Sequence, residues 1–321
     1  GRQAGGKAPA RLAARQGDAA QFGEIRMRVQ RDRQRIGQGA AMVGPFDQHD
    51  GIAHGIVQAQ LFEGLTALDA AGVPVPAAAH RWEVSADGLR YIFHLRPGAK
   101  WSDGTPVTAA DFEYAWKTAL SPELASSYAY QLFCLKNGQA YNAKKAAADT
   151  VGVRALDDHT LEVRLNNPTP YFLSMQVHQS YFPVHRATIE RFGRIDERGT
   201  KWTQPGNYVG NGPFKITGWT HNSKIELSRN EHYWDAARVR LPRLDIVLVD
   251  SAATRLLMFE NKQLDMADSP PVGEIPRLRR EGKLQIFPFR MTVANLAKHA
   301  KDPNLSFWKD IKEGYDRFEM S

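Results

Sequence analysis

The hydrophobic pattern is most regular in the first third of the chain, where a predicted strand leads into a predicted helix. In RYIFHLR, the side chains of Tyr91, Phe93 and Leu95 alternate with residues that face the other way, which is the period of a half-buried strand. The dipeptide Asp103-Gly104 then marks a turn. These signals predict a strand with one face on a core, followed by a tight connection.

A helix is predicted directly after this turn. Thr108, followed by Asp111 three residues later, fits a capping box. The apolar residues that follow recur with helical spacing; they are Phe112, Ala115, Trp116 and Ala119. Proline disfavours helix at the residue before it, so the helix is expected to end near Ser121-Pro122.

The rest of the chain alternates between strands and helices. The predicted elements are a strand pair around the turn Asp157-Asp158, a helix within 169–183, a short helix at 187–193, a strand pair within 212–230 that turns at Asn222-Ser223, a strand at 243–249, a helix from Ala252 to Asn261, and a short helix and a strand within 273–289. This order predicts a mixed α/β fold with more than one layer and two lobes.

Composition places the chain among globular proteins large enough for about two domains. Of its 321 residues, 42% are hydrophobic and 24% are charged. No run of about 18 apolar residues occurs, so no membrane-spanning helix is expected. The opening segment GRQAGGKAPARLAARQGDAA lacks the apolar centre of a signal peptide.

The positive charge is concentrated near the start of the chain. The net charge is +7, and residues 1–40 hold nine Lys and Arg against three Asp and Glu, a net +6. The segment RMRVQRDRQR has the charge to contact nucleic acid or anionic lipid. Because no aromatic residue separates its arginines to stack on bases, a poorly ordered, solvated arm is favoured and nucleic-acid binding is not expected.

Few residues suggest chemistry. Cys134 is the single cysteine, which excludes an internal disulfide, and its apolar neighbours favour a buried structural thiol over a reactive one. His178 and His185 lack a nearby carboxylate or cysteine in the sequence, so no metal site is expected. The glycines of GNYVGNGPF do not have dinucleotide-binding spacing and are better explained by a turn between strands. No catalytic motif is present, so neither an enzyme nor a cofactor is expected.

Aromatic residues are common at predicted turns and strand edges. They are Trp101, Trp116, Tyr128, Tyr130, Tyr171, Tyr181, Trp202, Tyr208, Trp219, Tyr233 and Trp234. About two thirds of them are assigned to the core, and the rest are candidates to line a cleft. This pattern favours a binding protein over an enzyme.

Four long segments carry a family resemblance. They are LFEGLTALDAAGVPVPAAAHRWEVSADGLRYIFHLRPGAKWSDGTPVTAADFEYAW, VGVRALDDHTLEVRLNNPTPYFLSMQVHQSYFPVHRATIERFG, KWTQPGNYVGNGPFKITGW and RNEHYWDAARVRLPRLDIVLVDSAATRLLMFENKQLDMAD. Through them, residues 44–289 resemble the oligopeptide-binding proteins of bacterial ABC importers, the family 5 extracellular solute-binding proteins. The resemblance implies a periplasmic receptor that captures a short, extended peptide between two lobes and passes it to membrane permease subunits. The peptide would pair its backbone with strands of the protein.

The resemblance also implies a division of the chain. Residues 41–62 and 186–288 correspond to the first lobe of a periplasmic-binding-protein type II-like fold, and residues 63–185 to a smaller inserted α/β domain. Residues 1–40 form the basic arm, and residues 289–321 are expected to be a helical tail of different origin.

Site residues follow from two matches to the family. FDQHDGIAHG resembles the segment that precedes the family's peptide-pairing strand, which places that strand at Asp50, Gly51 and Ile52. Tyr128, in SPELASSYAY, matches a tyrosine that faces the ligand in the family. A tyrosine of the core is the alternative for this position.

The end of the chain leaves two alternative functions open. After QIFPF the family continues into a second large lobe that anchors the peptide's amino group, whereas here RMTVANLAKHAKDPNLSFWKDIKEGYDRFEMS resembles the end of periplasmic murein L,D-transpeptidases. The alternatives are therefore a transpeptidase-related protein, although the catalytic cysteine motif is absent, and a scaffold that does not bind peptide. A site with one lobe is expected to bind peptide weakly or not at all.

Overall fold

The computed structural model describes most of the chain between residues 57 and 283. The described residues are 25–29, 57–69, 72–195, 197, 200–267 and 270–283. The strands are β1 Ile25–Val29, β2 Thr66–Leu68, β3 Pro74–Pro76, β4 Ala79–Val84, β5 Arg90–Leu95, β6 Val153–Asp157, β7 Thr160–Arg164, β8 Phe214–Thr220, β9 Lys224–Arg229 and β10 Arg243–Leu248.

Among the α-helices whose bounds are described, the longest has twelve residues. They are α1, which includes residues 57–61, α2 Ala109–Leu120, α3 Gly138–Asn142, α4 Phe172–Met175, α5 Arg186–Phe192, α6 Ala252–Glu260 and α7 Ile275–Arg280. Turns of 3₁₀ helix lie at Ala129–Leu132, Ala148–Thr150, Gln179–Tyr181, Lys201–Thr203, Ala236–Arg238 and Val272–Glu274.

Two four-stranded sheets and one strand pair organise these elements. The first sheet has the order β4-β5-β7-β6 and is antiparallel throughout. The second has the order β1-β10-β9-β8, in which β1 alone pairs in parallel. Strands β2 and β3 form a separate antiparallel pair. The mixed α/β prediction is confirmed.

The helix and strand predicted around residues 90–120 are confirmed in detail. Thr108 and Asp111 form the capping box at the start of α2, and the chain leaves the helix at Ser121 in an extended conformation. The apolar face of α2 is buried; its members are Phe112, Ala115, Trp116 and Ala119. On β5 the alternating residues Tyr91, Phe93 and Leu95 are also buried, so one face of the sheet meets α2 in a shared core.

Several further predictions are confirmed. The turn after Asp157 joins β6 to β7, and Asn222 has a left-handed backbone (φ 63°) in the turn between β8 and β9. The strand at 243–249 is β10, and the helix from Ala252 to Asn261 is α6, which Ser251 caps by accepting a hydrogen bond from the Thr254 amide.

Other predictions differ from the structure. Within 169–183 the predicted helix is limited to the four residues of α4 and a 3₁₀ turn at Gln179–Tyr181. In the predicted basic arm, residues 25–29 form β1 at the edge of the second sheet rather than a poorly ordered segment. The strand expected near residue 286 and the helical tail 289–321 lie outside the described residues.

The glycines of GNYVGNGPF have a packing role that the sequence did not predict. A Cβ atom on Gly210 would lie 2.1 Å from the Leu61 carbonyl oxygen, and one on Gly212 would lie 2.5 Å from the Leu61 carbonyl carbon. The Gly212 amide donates to the same Leu61 oxygen at 2.9 Å. The interpretation as a turn between two strands is therefore wrong for these two glycines, because they allow the backbone to approach the end of α1.

Candidate functional site

The structure describes the predicted tyrosine but not the predicted peptide-pairing residues. Asp50, Gly51 and Ile52 lie outside the described residues. Tyr128 is described, and it precedes the 3₁₀ turn Ala129–Leu132. Its side chain is half-buried and does not belong to the hydrophobic core cluster, so the alternative of a core tyrosine is not supported.

Tyr128 lies in a small aromatic cluster at the surface, made of Tyr128, Tyr130 and His178. The centroid of the Tyr128 ring is 5.5 Å from that of His178 and 6.1 Å from that of Tyr130. Tyr130 is 55% exposed. The His178 Nδ1 atom accepts a hydrogen bond from the Ser180 amide at 3.2 Å, and burial lowers the pKa of the imidazole. The cluster therefore presents neutral rings and hydroxyl groups, which suit binding of a polar or apolar side chain.

Beside the cluster, the cysteine is packed against the core. The Cys134 Sγ atom lies 3.5 Å from the Tyr181 hydroxyl, which also donates to the Gln131 carbonyl oxygen. Burial raises the pKa of the thiol, although the hydrogen bond to Tyr181 acts in the other direction. A thiol in these surroundings has little thiolate at neutral pH and is a poor nucleophile.

We expect Cys134 to react slowly with Ellman's reagent in the native protein. At pH 8 the rate should be roughly tenfold or more below that of the same chain in urea, because both burial and the raised pKa reduce the accessible thiolate. A native rate equal to the denatured rate would contradict this placement, and would revive the alternative of a cysteine-dependent enzyme.

His178 and His185 both cap the starts of helical segments. The Nδ1 atom of His185 accepts a hydrogen bond from the Thr188 amide at 3.3 Å at the start of α5. Its Nε2 atom lies 3.7 Å from the Asp103 carboxylate, a partner that the sequence did not reveal. Within the described ranges, no three His, Cys, Asp or Glu side chains are grouped to hold a metal ion.

The half-buried carboxylate of Glu63 was not predicted as a site. The Glu63 carboxylate accepts hydrogen bonds from the Tyr233 hydroxyl at 2.5 Å and from the Trp234 indole at 2.6 Å. The Asn211 side chain bonds the Glu63 backbone amide and carbonyl, and the Arg96 guanidinium lies 3.5 Å from the centre of the Trp234 ring. Residue 63 is thereby tied to segments that are about 150 and 170 residues away in the sequence.

Burial has a strong effect on the acidity of this group. Desolvation raises the pKa of Glu63 to about 7, against the lowering effect of the hydrogen bonds from Tyr233 and Trp234 and of the Arg96 charge. The one signal in the sequence was a glutamate between the apolar residues of LFEGL. Its partners were not predictable because they come from a distant segment.

The predicted division of the aromatic residues is close to the structure. Five of the eleven are buried: Trp101, Trp116, Tyr181, Trp202 and Tyr208. A sixth, Trp219, is partly buried and packs against the core. The remaining five are half-buried or exposed. Three of these five, Tyr128, Tyr233 and Trp234, make the contacts described above.

Known proteins share this architecture of two sheets. The chain is 43% identical over 254 residues to the oligopeptide-binding protein OppA of Bacillus subtilis, covering 76% of this chain and 45% of that protein. The structure of the murein tripeptide binding protein MppA of Escherichia coli aligns with a TM-score of 0.72 and 31% identity over 83% of this chain and 50% of that one. The structure of Haemophilus influenzae OppA in complex with RPPGFSPFR aligns with a TM-score of 0.69 and 31% identity, over 80% of this chain and 48% of that one.

These likenesses place the chain in the class of bacterial extracellular solute-binding proteins. The model of the bacterial extracellular solute-binding proteins, family 5, matches residues 73–308, and the chain belongs to that family. The predicted periplasmic-binding-protein type II-like fold is confirmed. The chain spans about half the length of the curated relatives it matches. No helix in the described part of the chain is long and apolar enough to cross a membrane.

Proposed function

We propose that the chain captures short, extended peptides in the periplasm, as the substrate-binding component of an ABC-type peptide importer. The observation that carries the proposal is the likeness to Haemophilus influenzae OppA, whose structure holds the peptide RPPGFSPFR, over 80% of this chain. Delivery to membrane permease subunits is part of the same proposal. The role is binding without covalent chemistry.

The surroundings of Tyr128 support its inclusion in the proposed peptide-binding site. A half-buried ring outside the core, flanked by the neutral His178 and the exposed Tyr130, can contact a peptide without demanding a particular charge. Affinity in this mode comes from backbone pairing, while such pockets accept varied side chains. We propose that Asp50, Gly51 and Ile52 supply the pairing strand, with Tyr128 contacting the peptide's side.

Calorimetry with a pool of tripeptides to pentapeptides tests the proposal. We expect weak but saturable binding, and the change Tyr128→Ala should weaken it about tenfold because an aromatic contact is removed. Trp219→Ala is the matched control, since Trp219 is a half-buried aromatic residue of β8, in the other four-stranded sheet. Its effect on peptide affinity should be less than twofold.

Two outcomes would count against the proposal. If the wild-type chain shows no binding to any member of the pool, peptide capture is not an activity of this chain, and a non-binding scaffold becomes the better explanation. If binding occurs but Tyr128→Ala leaves it unchanged, the peptide site lies elsewhere and the assignment of Tyr128 is wrong.

A further inference from the structure

The outer face of the sheet β4-β5-β7-β6 is rich in arginine. Cross-strand partners lie on one face of a sheet, and the register pairs Glu83 with Ile92, Ile92 with Glu162, Arg154 with Glu162, and Arg90 with Arg164. The charged members of this face, which we call the arginine face, are Arg81, Arg90, Arg154, Arg164, Glu83 and Glu162. The arginine face therefore carries four positively charged and two negatively charged side chains.

Glu162 lies at the centre of the arginine face. Its Oε1 atom accepts hydrogen bonds from Arg90 Nε at 2.6 Å and from Arg164 Nη2 at 3.2 Å. Burial acts to raise the pKa of this carboxyl, but the two arginines outweigh it, and the pKa is lowered. Glu162 is therefore ionised at neutral pH, and it holds together two arginines that are direct cross-strand neighbours and would otherwise repel each other.

The arginines remain open to solvent although they are paired. The side chains of Arg90 and Arg164 are 50% and 54% exposed, whereas that of Glu162 is 11% exposed. The guanidinium of Arg81, 54% exposed, lies 2.5 Å from the Glu83 carboxylate. The accessible layer therefore contains the three arginines and the carboxylate of Glu83, which is 59% exposed, whereas the central carboxylate of Glu162 lies beneath the guanidinium groups.

Arg154 adds an uncompensated charge to this layer. It is exposed on the edge strand β6, opposite Glu162, and no ion pair to it occurs within the described residues. Leu156, two residues further along the same strand, is 48% exposed. The arginine face therefore combines guanidinium groups with an aliphatic side chain.

The array extends in two dimensions. Its arginines come from all four strands of the sheet, which spans three inter-strand spacings, or about 15 Å. The opposite face of the same sheet is closed by α2 and the core. A single anion or a linear acidic peptide would meet only one row of these groups, whereas a planar array of phosphates would meet them together.

We propose that the arginine face binds the anionic phospholipid headgroups of a membrane surface. Guanidinium groups match the geometry of phosphate oxygens, and basic surfaces bearing exposed aliphatic residues suit the headgroup boundary. The smaller domain would then hold the protein against the bilayer through a surface separate from the proposed peptide contact at Tyr128.

Vesicle sedimentation of the full chain tests this inference. Vesicles of phosphatidylcholine with about 30% phosphatidylglycerol should bind the chain at low salt, and pure phosphatidylcholine should not. The change Arg154→Glu alters the charge by two units and should weaken partitioning about 25-fold, since each basic residue near an anionic surface contributes about fivefold. Arg154→Gln should weaken it about fivefold.

The control is Arg238→Glu, which makes the same change in net charge at a side chain that is 84% exposed outside the arginine face. It should alter partitioning less than twofold, and all variants should keep the wild-type circular dichroism spectrum. Equal losses for Arg154→Glu and Arg238→Glu would overturn the inference in favour of overall charge. Absence of wild-type binding, or displacement from vesicles by soluble polyglutamate at equal charge concentration, would also overturn it.

Discussion

Replacing Trp116 by alanine is expected to lower the free energy of unfolding by about 3–5 kcal/mol, the largest effect of any single substitution considered for this protein. The Trp116 side chain, on the apolar face of α2, is fully buried. Its ring meets that of Tyr181 edge-on at 5.3 Å, and its indole Nε1 donates to the Tyr181 carbonyl oxygen at 2.9 Å. Alanine removes the buried area, leaves a cavity and leaves a buried carbonyl without this donor.

Two further substitutions separate these contributions. Trp116→Phe keeps most of the apolar volume but removes the donor, so it should cost about 1–2 kcal/mol beyond the lost ring area. Trp219→Ala, at a half-buried position, should cost less than half as much as Trp116→Ala. Urea unfolding followed by circular dichroism measures all three. A loss below about 1 kcal/mol for Trp116→Ala would show that α2 does not depend on this core.

A second expected result is a pH dependence of stability that originates at Glu63. The pKa of this carboxyl rises from its ordinary 4.5 to about 7 in the folded chain, chiefly because burial disfavours the charge. The folded state therefore binds the proton more tightly than the unfolded state. The contribution of Glu63 to stability is fully present below pH 4.5 and is lost as the pH rises through 7, a change of about 3 kcal/mol.

Glu63→Gln isolates this contribution. The glutamine side chain can accept from the Trp234 indole and donate to the Tyr233 oxygen, so it preserves the contacts of the protonated acid without a titration. The free energy of unfolding of this variant should fall by about 3 kcal/mol less than that of the wild type between pH 4.5 and pH 8. Subtracting the two profiles removes the shared contribution of the other carboxylates.

The control is Glu190→Gln on α5, whose carboxylate forms an exposed pair with Arg186. Its pH profile should match that of the wild type within about 0.5 kcal/mol, since exposed pairs contribute little. If Glu63→Gln and the wild type have parallel profiles, the Glu63 carboxylate is ionised in the folded chain at acidic pH, and its burial does not control its charge.

Peptide capture and membrane contact would use different surfaces of the chain. The aromatic cluster around Tyr128 is neutral, whereas the arginine face is positive and open. The substitutions Tyr128→Ala and Arg154→Glu should therefore have independent effects on the two kinds of binding. Additivity is expected because the two surfaces have no residue in common.

Much of the fold was predictable because its signals are local. The capping box at Thr108, the apolar face of α2 and the alternation along β5 each depend on residues a few positions apart, and all three are confirmed. The helix within 169–183 was wrong in extent because its aromatic residues are buried by tertiary contacts: Phe172 packs on Tyr91, and Tyr181 packs on Trp116.

The role of Tyr128 in the candidate site stays a prediction. Tyr128 was identified by its resemblance to the family, and the structure adds its neighbours His178 and Tyr130. The predicted strand at Asp50, Gly51 and Ile52 lies outside the described residues and stays a prediction. For Glu63 the sequence offered only its apolar neighbours in LFEGL, which do not identify Tyr233 and Trp234 as its partners.

The sequence alone therefore determined the class of fold, the order of most elements and the family, because periodicity, capping and motif order are properties of neighbouring residues. The tertiary structure decided which distant groups meet. The bonds from Tyr233 and Trp234 to Glu63 and the approach of Gly212 to Leu61 join segments about 150 residues or more apart. The pKa of a carboxylate, and whether a side chain fits at a glycine position, depend on the groups around them. Those groups come from distant parts of the chain and meet only when it folds.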